Sequence, residues 1–260
     1  MNLDLDNKVV LITGGAKGIG VAITRAVAQE RAIPVVVDRD AAAGKDLLAS
    51  LESEGLAAHF IEYDLCSASN CQAAVQRALS IGKRLDALVN NAGVNDGAGL
   101  ENGGPAKFVT SLERNLFHYY NMAHYALPSL KATKGSIVNI ASKVAVTGQG
   151  GTSGYAAAKG AILALTREWA VELLPYGIRV NAVLPAEVMT PLYRQWLDTF
   201  EQPEQKLASI VAKIPFEKRM TSAEEIAALV AFLISSRAGH IVGQHLYVDG
   251  GYVHLDRAAT

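Results

Sequence analysis

Short apolar runs alternate with amphipathic stretches along most of the chain. The run Lys8–Gly15 (KVVLITGG) is rich in β-branched residues and ends in glycines, which is typical of a buried strand followed by a turn. A helical pattern of apolar positions follows from Gly18 to about Glu30, and Ile33–Asp38 has the pattern of a second buried strand. This order of elements predicts the first βαβ unit of a parallel sheet.

The same alternation continues to the end of the chain. The pattern predicts helices over about 41–54, 69–81 and 222–233, strands over 58–64, 85–93, 135–142, 178–186 and 245–251, and long helices that carry Asn115 and Tyr155. Strands that are continuously apolar between helices belong in a parallel sheet that is covered on both faces. We therefore expect a single α/β domain over residues 1–260, a doubly wound (Rossmann) parallel sheet with helices on both faces.

One stretch, Met189–Arg219, breaks the pattern. It is rich in proline, aromatic and charged residues, and it follows the sixth predicted strand. Sheets of this kind bind ligands at the carboxyl ends of their strands. We therefore expect residues 189–219 to form a substrate lid, with a disordered insertion as the alternative.

Composition excludes several classes of partner. Lysine and arginine total 24 against 25 acidic residues, so the chain has no electrostatic basis for binding nucleic acid or an anionic membrane. No apolar run reaches about 18 residues and the start of the chain lacks the pattern of a signal peptide, so we expect a cytoplasmic protein. Cys66 and Cys71 have no second pair of ligands at metal-binding spacing, and we expect ordinary thiols and no metal.

A glycine-rich loop follows the first predicted strand. Gly14, Gly18 and Gly20 stand where the backbone can approach a pyrophosphate, which then lies on the N–H groups that open the next helix. Asp38 ends the second strand, 18 residues after Gly20. A carboxylate at that place accepts hydrogen bonds from an adenosine ribose and repels a 2′-phosphate, so the expected cofactor is NAD.

Nearby charges leave two points open. Lys17 and Arg39 are cations that can soften the exclusion of a 2′-phosphate, so NADP stays as the weaker alternative. Asp64, which ends the third predicted strand, can hold the adenine amino group or can serve as a turn or capping residue.

Tyr155 and Lys159 lie four residues apart in a run of small residues, so on a helix their side chains are neighbours. At about 4 Å and an effective dielectric of about 20, a lysine ammonium attracts a phenolate by about 4 kcal/mol. Such a contact would lower a phenol pKa that starts near 10 and make the tyrosine a base near neutral pH. Taken alone, the spacing also suits an amphipathic helix with a lysine that extends to solvent.

The order and spacing of these motifs resemble the short-chain dehydrogenase/reductase family over nearly the whole chain. The matching segments are Thr13–Gly20, NNAG at 90–93, Asn115, Ser142, YAAAK at 155–159 and LPAEVMTP at 184–191. The resemblance implies NAD(P) chemistry and a tetrad of Asn115, Ser142, Tyr155 and Lys159. It implies that Ser142 holds the substrate oxygen and that Tyr155 takes the hydroxyl proton while hydride passes to the nicotinamide. It also implies that Lys159 bonds the nicotinamide ribose and that Asn115 holds a relay water.

The resemblance also implies the remaining cofactor contacts and a tetramer. The expected cofactor-binding residues are Gly14, Lys17, Gly18, Ile19, Gly20, Asp38, Asp64, Leu65, Asn91, Ala92, Gly93, Tyr155, Lys159, Pro185, Val188 and Thr190. Thr13 and Asn90 are expected to be structural. We expect core or surface histidines, rather than catalytic ones, at positions 118, 124, 240 and 245. A homotetramer would use the long helices that carry Asn115 and Tyr155.

The chain departs from the family after the sixth strand, where Pro185-Ala186-Glu187 replaces the usual Pro-Gly. The fold would place Glu187 beside the nicotinamide and facing the substrate, where a carboxylate suits a polyol. The alternative is that Glu187 faces solvent or pairs with Arg194. The expected substrate-binding residues are Asn95, Ser142, Gln149, Tyr155, Glu187, Tyr193 and Trp196.

Two further segments, PAEVMTPLYRQW and VDGGYVHLDRA, resemble the bacterial L-fucose dehydrogenases of this family. That resemblance implies NAD-dependent oxidation of the anomeric C1 hydroxyl of a free aldose to the lactone. The alternatives are a 3-oxoacyl thioester reductase that uses NADPH, against which Asp38 and Glu187 argue, and a non-catalytic NAD-binding redox sensor. His254 and Arg257 in the tail either reach a neighbouring active site or are structural.

Overall fold

The structure, a computed structural model, describes residues 2–255. Within that range seven parallel strands form one sheet in the order β3-β2-β1-β4-β5-β6-β7. The strands are β1 (Val9–Thr13), β2 (Ile33–Asp38), β3 (His59–Glu62), β4 (Ala87–Asn90), β5 (Ser136–Ile140), β6 (Arg179–Pro185) and β7 (His245–Val248). The order reverses between β1 and β4, so the loops after these two strands meet at the point where such sheets bind ligands.

Helices cover both faces of this sheet, which confirms the doubly wound fold. They are α1 (Ile19–Gln29), α2 (Ala41–Ser53), α3 (Ala68–Gly82), α4 (Pro105–Leu112), α5 (His118–Thr133), α6 (Val144–Thr147), α7 (Ser153–Leu173), α8 (Pro191–Leu197), α9 (Pro203–Val211) and α10 (Ala223–Ile234). A π-helical turn, Glu113–Phe117, joins α4 to α5. None of the helices between residues 2 and 255 is long and apolar enough to cross a bilayer.

Successive residues of each central strand enter different cores. On β1, Val9 and Leu11 pack with α3, α5 and α7, whereas Val10 and Ile12 pack with α1 and α10. Side chains alternate across a strand, so a sheet that is covered on both faces needs apolar residues at every position. This is the physical reason for the continuously apolar runs in the sequence.

The helix that follows the irregular stretch has boundaries that its capping residues predict. Ser222 caps α10 in a reciprocal capping box with Glu225, and the observed helix differs from the predicted one by a single residue at each end. Residues 189–219 instead contain α8 and α9, which the periodicity does not predict. Each begins with a proline and spans only seven or nine residues, too few for a periodic pattern to emerge.

Candidate active site

The loop between β1 and α1 has a backbone that requires glycine. Gly14 and Gly18 have φ values of +61° and +54°, which side chains rarely adopt. A Cβ on Gly20 would lie 2.0 Å from the Gly14 carbonyl oxygen, so the helix packs directly on the loop. No side chain caps α1 at Gly18, and Ile19 opens the helix with its amide at the loop. The cradle therefore fits a dinucleotide pyrophosphate.

Polar groups lock this loop to the end of β4. The Thr13 hydroxyl accepts hydrogen bonds from the amides of Asn91 (2.9 Å) and Ala92 (3.1 Å). The Asn91 side chain donates in return to the carbonyls of Thr13 (3.0 Å) and Gly14 (2.9 Å). The side-chain amide of Asn91 thus stabilises the glycine loop, and Thr13 has the structural role that the sequence predicts.

Asp38 lies beside the glycine loop at the end of β2. Its Oδ2 accepts from the Ala16 amide (3.2 Å) and its Oδ1 accepts from the Asp40 amide (3.1 Å). These two bonds hold the carboxylate next to the backbone on which the adenosine half of a dinucleotide would lie.

The two cations near Asp38 are engaged with other acids. Lys17 forms an ion pair with Asp40, and Arg39 lies 3.7 Å from Asp64. The amide of Ala43 and then Lys17 hold the pKa of Asp40 below its usual value. Both cations are more than half exposed, so these pairs weaken their positive field without burying them.

Asp64 forms a turn contact at the end of β3. Its Oδ1 accepts from the Cys66 amide (3.0 Å), a bond that holds the pKa of Asp64 below its usual value. Leu65 beside it is buried against the core. Cys66 is exposed and Cys71 is buried, and both are free thiols.

The chain after β6 reaches the glycine loop. Thr190 caps α8, with its hydroxyl accepting from the Tyr193 amide (3.1 Å). A Cβ on Gly18 would lie 3.2 Å from the Thr190 methyl group. Val188 is buried and pairs with Thr221 through a single β-bridge. The predicted cofactor contacts that follow β1 and those that follow β6 therefore lie side by side.

Lys159 is the buried charge of the predicted tetrad. Its side chain is 3% exposed, and its Nζ donates to the Ile140 carbonyl (2.7 Å) and to the Tyr119 hydroxyl (3.0 Å). Burial lowers the pKa of Lys159 to about 7. The Nζ is 5.6 Å from the centre of the Tyr155 ring.

The expected lowering of the tyrosine pKa is not found. Burial raises the pKa of Tyr155, and a hydrogen bond with Ser142 only opposes this rise. The physical reason is that the Lys159 ammonium bonds to Ile140 and Tyr119, so desolvation dominates at the phenol.

Asn115 lies within the π-helical turn, which is a helix defect that often marks a functional position. Its Oδ1 accepts from the Val94 amide (2.7 Å), and its Nδ2 donates to the Ser111 carbonyl (2.9 Å). A Cβ on Gly93 would lie 3.0 Å from Asn115 Oδ1 and 3.5 Å from Lys159 Nζ. Asn115 therefore holds the loop after β4 against the buried lysine.

Tyr119 belongs to the same cluster and is missing from the sequence prediction. It is fully buried, and its hydroxyl donates to the Ile140 carbonyl (2.8 Å) while accepting from Lys159. Its distance of four residues from Asn115, one helical turn, is the signal that would have identified it.

The substrate side is built around Glu187, whose side chain is 12% exposed. It forms an ion pair with Lys143, and its Oε2 accepts from the Tyr193 hydroxyl (2.7 Å). Burial and the nearby carboxylate raise the pKa of Tyr193. The alternative partner was wrong, because Arg194 pairs with Asp198 (2.9 Å) and with a glutamate of α9 (2.7 Å).

Comparison with known proteins identifies the family. Residues 14–253 match the family model described as enoyl-(acyl carrier protein) reductase (adh_short_C2). The chain belongs to the short-chain dehydrogenase/reductase family. It is therefore an oxidoreductase of a family that uses an NAD(P) cofactor, in agreement with the glycine cradle.

Similar members of the family act on different substrates. L-fucose dehydrogenase of Rattus norvegicus is 36% identical over 245 residues, which cover 94% of this chain and 88% of that protein. The 3-oxoacyl-(acyl-carrier-protein) reductase FabG of Thermotoga maritima is 35% identical over 254 residues, covering 96% and 99%. The crystal structure of Cj0485 dehydrogenase superposes with a TM-score of 0.93 at 46% identity, covering 99% of this chain and 98% of that one.

The other predicted substrate residues outside the tetrad are exposed to solvent. Trp196 is 42% exposed, and its ring meets that of Tyr193 edge-on at 5.2 Å. Asn95 and Gln149 are exposed on the loops after β4 and β5. The amide of Gly154 donates to the Ala98 carbonyl (2.9 Å), and this bond holds the loop after β4 against the start of α7.

Several residues have structural roles in this member of the family. Asn90 donates to Asn139 on β5 (3.0 Å), as the sequence predicts. His118 is a core histidine whose Nε2 contacts the Arg114 carbonyl (3.0 Å), and burial lowers its pKa to about 4. The ring of His254 packs edge-on against Tyr247 of its own protomer at 4.4 Å. The other tail residue of interest, number 257, lies outside the described residues.

Proposed function

We propose that the protein oxidises the anomeric C1 hydroxyl of a free aldose with NAD, giving the lactone, and that L-fucose is its substrate. The observation that carries this proposal is the carboxylate of Glu187, held by Tyr193 close in the chain to the cofactor contact Val188. Lys143 and Tyr193 occupy only part of the accepting capacity of this carboxylate, and an apolar ketone or acyl chain would bury the rest unpaired, which is costly, whereas sugar hydroxyls donate to it. The similarity to a protein described as L-fucose dehydrogenase supports the same substrate.

The predicted tetrad would perform this reaction in one step. Ser142 holds O1 of the sugar through its hydroxyl, and Tyr155 as phenolate takes the proton of the C1 hydroxyl. NAD held at the glycine cradle would supply the hydride acceptor for C1, which would become the carbonyl carbon of the lactone. Lys159, whose Nζ is 5.6 Å from the centre of the Tyr155 ring, would bind the nicotinamide ribose, and Asn115 would hold the water through which the proton leaves.

The charges near the adenosine end support NAD over NADP. Asp38 holds a carboxylate beside the glycine loop, where it would repel a 2′-phosphate. Lys17 and Arg39, the two cations that would attract that phosphate, already pair with acidic residues.

A 3-oxoacyl thioester reductase that uses NADPH is the second candidate. The similarity to the Thermotoga maritima FabG protein favours it. The buried carboxylate of Glu187 argues against an acyl chain in the same pocket, and Asp38 argues against NADPH.

The assembly that we propose is a homotetramer. Large apolar side chains are exposed on the outer faces of the long helices, among them Phe117 (42%), Tyr120 (53%) and Val171 (69%). Phe117 and Tyr120 also line a groove together with Leu165 of α7. Apolar surface of this kind is typical of a contact between copies of one chain.

The test is the initial rate of NADH formation by the purified protein over a panel of aldoses, repeated with NADP. We expect the highest rate with L-fucose and NAD, and lower rates with D-arabinose, which lacks the C6 methyl group, and with the C4 epimer. One methyl group contributes only about 1–3 kcal/mol of discrimination, so the difference should be about 10- to 100-fold.

The opposite result is equally informative. Reduction of an acetoacetyl thioester by NADPH, together with no activity on any sugar, would replace the proposal by the second candidate. NAD binding without either activity would contradict both.

A further inference from the structure

The pair Lys143–Glu187 is a buried ion pair at the substrate side that the tetrad does not require. The two side chains are 8% and 12% exposed, and they come from the loops that follow β5 and β6. Lys143 directly follows Ser142 in the chain, and Glu187 directly precedes Val188. Each member of the pair is therefore next in the chain to a residue of the predicted site.

Backbone bonds fix the positions of both partners. The Lys143 amide donates to the Pro185 carbonyl (3.0 Å), so the loop after β5 is attached to the end of β6. The Thr221 amide donates to the Glu187 carbonyl (3.0 Å) on the other side. The backbones of Lys143 and Glu187 are thus held in place at the ends of β5 and β6, so the positions of the two charges do not depend on flexible side chains alone.

Aromatic residues complete the enclosure of the pair. The Lys143 Nζ lies 3.9 Å from the centre of the Tyr252 ring, and Tyr193 donates to Glu187. The turn that carries Tyr252 is itself held by Asp249, whose carboxylate accepts from the Gly251 (2.8 Å) and Val253 (2.9 Å) amides. Four separate segments of the chain therefore converge on one ammonium and one carboxylate.

A buried ion pair is weak evidence of a contribution to stability. Removing two charges from water offsets most of their attraction, and well-packed apolar residues at such a site are often as stable or more so. A buried pair that could be replaced without loss of stability is better explained by what it binds.

The pair keeps unused hydrogen-bonding capacity. A carboxylate accepts about four hydrogen bonds, and Glu187 uses two of these positions, one for Lys143 and one for Tyr193. An ammonium has three N–H groups, of which the ion pair uses one. A hydroxyl that donates to Glu187 while the next oxygen accepts from Lys143 would satisfy both groups at once.

We propose that Lys143 and Glu187 together bind a vicinal diol of the substrate and so select polyhydroxylated substrates over simple alcohols. This inference rests on the proposed function, because it assumes that the substrate is an aldose. Glu187 accepts from one sugar hydroxyl, and Lys143 donates to the oxygen of its neighbour. The two residues thereby orient the ring so that C1 faces Ser142 and Tyr155.

The test is a double-mutant cycle in which protein variants are combined with deoxy analogues of the sugar, with the full-length enzyme and NAD. We would measure kcat/KM for the preferred aldose and for its 2-, 3- and 4-deoxy analogues, with wild type, Lys143→Met and Glu187→Gln. Hydrogen bonds to charged groups are lost when a recognised hydroxyl is missing, so the two analogues that each lack one hydroxyl of the diol should be about 10- to 100-fold worse with wild type. One of these penalties should shrink to less than about 3-fold in Glu187→Gln and the other in Lys143→Met, because each residue binds a different hydroxyl.

Two further variants and one binding measurement control for misfolding and for indirect effects. Lys143→Met/Glu187→Leu removes both charges together, so no unpaired charge is left buried, and both penalties should vanish in it. Lys131→Met removes another lysine–tyrosine contact, 3.7 Å from the Tyr176 ring, and should keep the wild-type pattern. Binding of the sugar to the NADH complex, measured by saturation-transfer NMR, should weaken in the Lys143 variant only for sugars that carry the recognised hydroxyl.

Each other outcome overturns the inference in a distinguishable way. If wild type oxidises the sugar and every variant loses activity equally on all analogues, the pair only supports the fold, and the proposed function still stands. If wild type binds NAD but oxidises no sugar, the proposed function falls and this inference falls with it.

Discussion

At the residue scale, the site depends on how little water reaches Lys159. Its ammonium is satisfied by one carbonyl and one tyrosine hydroxyl, so the charged form is held without an acidic partner among the described contacts. The same burial lowers the pKa of Lys159 to about 7 and raises that of Tyr155. The two pKa values are therefore shifted apart, and each shift favours the neutral form of its group, because burial penalises both charges.

Replacement of Tyr155 tests the proposed base directly. Tyr155→Phe removes only the hydroxyl, so the ring packing and the glycine cradle stay intact. We expect kcat to fall by about 10³-fold or more while the Kd for NADH changes by less than about 3-fold. Turnover measured beside NADH fluorescence titration checks this, and a variant with near-normal turnover would remove the tyrosine from the mechanism.

The pKa of Lys159 makes a prediction about stability. The value is about 7 in the folded protein against 10.5 for an unperturbed lysine, so between these values the unfolded chain binds more protons than the folded one. Stability from this group therefore rises with pH from about 7 and is lost as the pH falls toward 7. Between pH 7 and 9 the rise amounts to about 2 kcal/mol.

Lys159→Met should abolish that rise. Urea unfolding of the two proteins at pH 7 and pH 9, at one fixed protein concentration, gives the difference. The upper pH stays below the range in which tyrosines ionise, so Tyr119 and Tyr155 do not contribute. Equal pH dependence in both proteins would mean that the lysine is not buried in solution.

At the scale of elements, the junction of β1, its loop and α1 has almost no spare volume. A Cβ on Gly20 would lie 2.0 Å from the Gly14 carbonyl oxygen and 2.9 Å from the Asn91 side chain. The helix must therefore approach the loop through a glycine, and that close approach is what places its first amides at the cofactor.

Gly20→Ala should separate these elements. We expect a loss of about 1–3 kcal/mol in the free energy of unfolding from overpacking, and NADH binding weakened by at least about 10-fold. Gly160→Ala is the matched control, because a Cβ there meets no atom within 4 Å inside α7. The control should be more stable by about 0.5–1 kcal/mol with unchanged binding. Thermal unfolding and NADH fluorescence measure both effects, and equal behaviour of the two variants would refute the packing argument.

At the scale of the whole molecule, two of the helices that cover the sheet expose apolar surface. The outer surfaces of α5 and α7 carry large side chains that a single protomer does not bury. Tyr155 and Lys159, two of the predicted catalytic residues, lie on α7, so assembly would stiffen the helix that holds them.

Tyr120→Asp should dissociate that assembly. A charge at a side chain that is 53% exposed is tolerated in a monomer but is costly in a buried interface. We expect light scattering to show a smaller species with an unchanged far-UV circular dichroism spectrum. Leu100→Asp, at a loop residue that is 92% exposed, should keep the wild-type mass. A wild-type protein that is already monomeric would contradict the proposal.

The accuracy of the predictions made from the sequence differs from one structural element to the next. The boundaries of α10 and of the central strands follow from capping residues and apolar runs, which are local signals. The helices α8 and α9 are too short to produce such a signal. Lys143 was not predicted as the partner of Glu187, because it stands 44 residues away and only the sheet brings the two loops together.

The sequence by itself determined the doubly wound sheet, the glycine cradle and the family. Periodicity reports which faces are buried, and glycine spacing reports backbone shape, so both can be recognised from neighbouring residues alone. Only the tertiary structure decided that Tyr119 bonds to Lys159, that burial governs the pKa of Tyr155, and that Lys143 pairs with Glu187. Those properties depend on distances and solvent access between side chains of different elements, which no local pattern encodes.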